Sequence, residues 1–119
     1  MNREIYSLTW EFFGSSLSSS LSHAFINPEY SDVTLVSDDK IQFQAHKFVL
    51  SACSTVLKNI LNNHPHPHPL IFLRGVKHQL LRSILQFIYL GEVKFHRDNM
   101  EAFVQAAKDL KIKSSVISS

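Results

Sequence analysis

Ser31-Asp32-Val33-Thr34-Leu35, followed past a polar turn by Ala45-His46-Lys47-Phe48-Val49-Leu50-Ser51-Ala52-Cys53-Ser54, are the two stretches whose reading decides the fold. Val33 and Leu35, and then Ile41, Phe43 and Ala45, alternate on either side of Ser37-Asp38-Asp39-Lys40. Two period-2 runs around a polar turn predict a β-hairpin. The His46-Lys47 pair then leads into a short apolar helix over Phe48 to Cys53. Ser54 is placed to cap a second helix running through Leu61, with Val56, Leu57, Ile60 and Leu61 on its apolar face. A strand pair followed by two antiparallel helices is the expected centre of the molecule.

Upstream, Ile5-Tyr6-Ser7-Leu8-Thr9-Trp10 alternates with Tyr6, Leu8 and Trp10 on one face, which predicts a short half-buried strand. It has no neighbour nearby in the sequence, so its partner is expected to be distant or on another chain. Thr9 is a candidate cap for a helix beginning near Trp10 or Glu11. Phe13, Leu17, Leu21, Ala24 and Phe25 recur at helical spacing and form one apolar stripe. The serines between them read by composition as a flexible linker, but the periodic Phe and Leu residues favour a helix. Asn27-Pro28 should end it.

Downstream, His64-Pro65-His66-Pro67-His68-Pro69 excludes helix and central strand alike. Alternating His and Pro invites a metal reading, yet extended proline-rich geometry spreads successive side chains around the axis. A solvated loop is the expectation. Leu70 to Leu73 reads as a buried strand, and a helix from about Lys77 to Leu90 should stop at Gly91. Asp98 or Asn99 then caps a last helix carrying Met100, Phe103, Val104, Ala107 and Leu110.

The 119 residues suit a single domain, able to hold a core without metal or disulfide staples. Twelve basic against ten acidic residues leave a net charge of +2, with no Lys/Arg block to track a phosphate backbone. Direct nucleic-acid binding is not expected. One cysteine, Cys53, forbids an internal disulfide and reads as a small buried hydrophobe. No apolar run approaches the roughly 18 residues of a membrane span, and Met1-Asn2-Arg3-Glu4 opens no secretory signal. An intracellular chain is the expectation, with no membrane partner. The acids are scattered over turns and helix ends, and no Gly-rich phosphate loop exists. No catalytic residue, cofactor or metal site is expected.

These stretches, in this order, resemble the BTB (POZ) domain. The resemblance continues through Leu73-Arg74-Gly75-Val76, Leu81, Phe87-Ile88-Tyr89-Leu90-Gly91-Glu92-Val93, Ala106-Ala107 and Leu110-Lys111-Ile112-Lys113. The spelling is similar to BTB domains of arthropod transcription factors, and Tyr6-x-Leu8-x-Trp10 resembles the leading element of the tramtrack-type subgroup. The resemblance implies an α/β (α+β) fold, a helical cluster flanked by short strands, over residues 1–113, with 114–119 beginning a Ser-rich linker. It implies an intertwined homodimer in which each N-terminal strand joins the other chain's sheet. Its interface would take Leu8, Trp10, Phe13, Leu17, Leu21 and Phe25.

It further implies a charged pocket of Asp32 and Lys47 at the dimer base, although by sequence alone Asp32 merely opens a strand and Lys47 reads as solvated. His46 at the same corner is expected to be a hydrogen-bonded structural histidine. Tyr6, Leu8 and Trp10 would also join dimers into a larger assembly, up to a hexamer, although Glu11 stands where the subgroup usually has Asn. The function implied is self-association of a nuclear transcription or chromatin regulator, with related BTB domains and co-regulators as partners. The alternative is a cullin-3 ubiquitin-ligase adaptor. Against it, the loop after the helix pair, residues 62–69, contains no acid.

Overall fold

The computed structural model describes residues 4–113; the expected Ser-rich linker at 114–119 lies outside them. In chain order come α1 (Phe13–Ile26), β1 (Val33–Val36), β2 (Gln42–Ala45), α2 (Lys47–Cys53), α3 (Thr55–Asn63), β3 (Leu70–Phe72), α4 (His78–Leu90) and, after a 3₁₀ turn over Arg97–Asn99, α5 (Met100–Asp109).

The hairpin forms as its alternation demands, with Val33 opposite Ala45 and Leu35 opposite Phe43. The chain then crosses over through α2 and α3, so that β3 returns parallel to β1 on the other side, in the order β2-β1-β3. β1 is thus the central strand and all four of its residues are buried, Thr34 and Val36 included. β3 departs from its expected buried character. Only Ile71 is buried, because the strand lies at the sheet edge; Leu70 and Phe72 face outward.

The core lies between the central strand and the helices. Val33, Leu35, Leu50, Leu57, Leu81, Ile84, Leu85 and Phe103 are among its buried members. Ser54 caps α3 as its position predicts, accepting from the Leu57 amide at 3.1 Å. Its hydroxyl also donates to the Leu110 carbonyl at 2.6 Å, which ties the helix pair to the chain after α5. Gly91 ends α4 in the left-handed conformation, φ +81°, where a side chain would be strained.

The hairpin turn anchors the start of α4. Asp39 accepts from the Ser37 hydroxyl (2.6 Å) and the His78 amide (2.9 Å), and contacts the His78 ring at 2.5 Å. These bonds, that from Ser37 foremost, hold its carboxyl well below the usual carboxylate range. Asp38 accepts from the Gly75 amide at 3.0 Å.

Two expectations fail and a third holds in part, at helix starts and in the arm. Residues 4–10 adopt no regular secondary structure, because a strand needs a hydrogen-bonded neighbour and one chain supplies none. α1 begins at Phe13, without a side-chain cap from Thr9. Asn99 stands at the N-cap of α5 as expected, but its side chain makes no capping bond, and the helix grows out of the 3₁₀ turn. The radius of gyration, 17.0 Å, exceeds the roughly 13–14 Å of a compact chain this long, in keeping with an arm that stands away from the body.

Candidate functional site

The arm exposes every one of its large apolar side chains. Leu8 is 98% exposed, Tyr6 80% and Trp10 59%. The Trp10 ring meets Phe13 edge-on at 5.4 Å. The Tyr6 hydroxyl donates to the Glu4 carboxylate, which raises the phenol's pKa. Beyond Glu11, the side chains of Phe12, Phe13 and Leu17 are exposed as well.

α1 divides the stripe that the sequence shows as one. Leu21, Ala24 and Phe25 lie against the core, with Phe25 6.0 Å from the Tyr89 ring on α4. Phe13 and Leu17, further up the same stripe, are exposed. The structure therefore leaves Leu8, Trp10, Phe13 and Leu17 all exposed and brings Trp10 and Phe13 into contact. Leu21 and Phe25 are turned largely into their own chain.

A second unpartnered element lies after α4, and the sequence reading missed it. In residues 92–96, Val93 and Phe95 pack on the core while Glu92, Lys94 and His96 face outward. The stretch is thus extended with strand-like alternation, yet the main chain of Glu92 to Phe95 makes no hydrogen bond among the described residues. The Val93-x-Phe95 alternation directly after Gly91 was the available signal.

Asp32 and Lys47 meet otherwise than an ion pair would. The Asp32 carboxylate accepts from the Lys47 main-chain amide at 2.7 Å. It thereby caps α2, whose own N-cap, His46, provides no side-chain bond. The Lys47 ammonium instead donates to the His66 carbonyl at 2.6 Å, and no carboxylate–ammonium contact joins the two side chains. The proline-rich loop is held over this corner, because the His68 ring also reaches the Thr34 hydroxyl at 2.9 Å.

His46 is fully engaged. Its Nε2 lies 2.7 Å from the Glu29 carbonyl, which can only accept, so Nε2 carries the proton. Nδ1 then accepts from the Tyr89 hydroxyl at 2.8 Å, and the Tyr89 oxygen accepts from the His46 amide at 3.0 Å. Burial pushes the Tyr89 phenol up to about 12, so it stays a donor at any ordinary pH. Both ring nitrogens of His46 and the Tyr89 hydroxyl are thus committed to bonds that hold the fold. Burial likewise raises the thiol of the half-buried Cys53. Among the described residues no three His, Cys, Asp or Glu side chains gather as a metal site would require.

A fold of this topology, with its chemistry spent on structure and its apolar surface left outside, belongs to the class of protein-interaction domains. The BTB/POZ domain family model matches residues 21–118, and the chain belongs to that family. It is 34% identical over 113 residues to the tramtrack protein, alpha isoform, of Drosophila melanogaster, covering 95% of this chain and 14% of that protein. With the transcription activator GAGA of the same species it shares 38% identity over 109 residues, 92% of this chain and 19% of that protein. The chain thus spans less than a fifth of either relative. Among solved structures, the BTB domain of human gigaxonin superposes with a TM-score of 0.77 at 25% identity, over 92% of this chain and 90% of that one.

Proposed function

We propose that the chain is a self-association module of a nuclear transcription or chromatin regulator. The observation that carries this reading is the series of large apolar side chains between Ile5 and Leu17, each of them exposed. Surface of that extent is uncommon on a monomer and marks a protein contact. Two elements of each chain also lack what the other offers. The arm alternates with no strand beside it, and residues 92–96 present an unpaired extended edge over Val93 and Phe95. Exchanging arms between two copies would lay each arm along the partner's 92–96 edge and close a two-fold dimer. Leu8, Trp10, Phe13 and Leu17 then form its interface, with Leu21 and Phe25 supporting α1 from behind.

In this reading Asp32 and Lys47 lie at the dimer base, and the outer face of Tyr6, Leu8 and Trp10 joins dimers into larger particles up to a hexamer. Related BTB domains and co-regulators are its further partners. The transcription role follows the Drosophila relatives. Light scattering tests the assembly directly against the 13.6 kDa chain. Particles of two chains, or an even multiple, are expected; a stable monomer at micromolar concentration sinks the proposal.

A further inference from the structure

β2 closes the sheet on one side with nothing beyond it. The carbonyls of Ile41 and Ala45 accept from Ser37 and Asp32, so these residues, and Phe43 between them, turn their main chain toward β1. The main-chain groups of Gln42 and Gln44 consequently point outward, and nothing among the described residues receives them. Natural edges are commonly guarded by Lys, Pro or a bulge. This one shows two exposed, uncharged glutamines instead.

Beside that edge runs a groove of about 480 Å³, walled by Phe25 and Ile26 from α1, Phe43 from β2 and Leu85 from α4. Arg82 is the one ionised residue lining it; its guanidinium stands over the Phe43 ring at 5.9 Å and meets no carboxylate among the described residues.

We infer that this edge and groove are a docking site for an extended, carboxylate-bearing segment of a partner protein, which adds to the sheet as a strand outside β2. The free amides and carbonyls of Gln42 and Gln44 supply the ladder, which any extended chain can use. Alternate side chains enter the groove, and Arg82 selects an acid among them through its forked donors. A second copy's arm, whose alternating face runs Glu4, Tyr6, Leu8 and Trp10, is laid along the partner's 92–96 edge in the proposed dimer, on which this exclusion rests, and so is not the occupant here. The groove's α1 wall, Phe25 and Ile26, lies about 12 Å along the helix from Leu17, the nearest member of the exposed series.

The probe is a displayed library of random peptides of about seven residues, selected on the full chain. Sequences alternating apolar residues with an Asp or Glu are expected to be enriched. A selected peptide, made synthetically, should shift the amide resonances of Gln42 and Gln44 and lose binding when its ladder-facing amides are N-methylated. Arg82→Glu should weaken it about tenfold or more and Arg82→Lys less, as the loss or retention of one interfacial charge pair implies. Arg82 is exposed, so both variants should keep the parent melting temperature and particle mass. Selection without an acid-bearing motif, or a binder indifferent to Arg82→Glu, overturns the inference. So does a synthetic peptide of residues 4–11 that outcompetes every selected sequence at Gln42 and Gln44.

Discussion

The body from β1 to α5 and the arm with the first half of α1 are built from the same kinds of residue, and they treat water in opposite ways. Leu50, Leu57 and Leu81 are almost wholly buried, whereas Leu8 and Leu17 stand out in solvent. Composition does not separate the regions, and neither does periodicity, since both alternate or repeat as buried elements should. What separates them is whether a complementary surface exists within one chain. The core of the body finds that surface within the chain, and the arm does not.

The largest test of that contrast exchanges equivalent truncations. Leu50→Ala, in the body, should lower the unfolding free energy by about 2–5 kcal/mol in chemical denaturation, the usual cost of a cavity in a packed core. Leu8→Ala should leave the helical circular dichroism unchanged and reduce particle mass in light scattering. If Leu8→Ala instead unfolds the domain as Leu50→Ala does, the arm is as integral to the native particle as the core.

The Tyr89 corner offers a test of intermediate size. Tyr89→Phe removes the hydroxyl that serves His46 twice, and should lower stability by about 1–3 kcal/mol. The parent should also soften in alkali. Tyr89 keeps its proton in the fold up to about 12, against 10.0 ordinarily. As pH rises through that window the unfolded chain loses its proton first, and stability falls by about 2 kcal/mol. Melting curves of Tyr89→Phe should be flatter between those limits; equal slopes would place the alkaline sensitivity elsewhere.

The smallest effect sharpens the reading of Asp32. As a cap for α2 it needs an acceptor oxygen and only secondarily a charge, so Asp32→Ala should cost about 1 kcal/mol and Asp32→Asn a few tenths. A buried ion pair with Lys47 would behave differently, each broken partner costing about 3–5 kcal/mol. An Asp32→Asn variant that melts as low as Asp32→Ala would mean that assembly brings the Lys47 ammonium onto this carboxylate.

The sequence by itself determined what depends on neighbours a few residues apart. The hairpin about Ser37-Asp38-Asp39-Lys40, the Ser54 cap, the stop at Gly91 and the break at Asn27-Pro28 follow from side-chain period, local hydrogen bonding and permitted φ, and all stand in the structure. Only the tertiary structure decided the rest. It placed β3 at an edge, so that Leu70 and Phe72 emerged from an apolar run that looked buried. It brought Asp32 to the Lys47 amide and Tyr89 to His46, left Glu92 to Phe95 without a ladder, and divided one continuous α1 stripe into an inward half and an outward half. Periodicity tells which side chains share a face; whether that face is covered depends on elements tens of residues away, or on another chain.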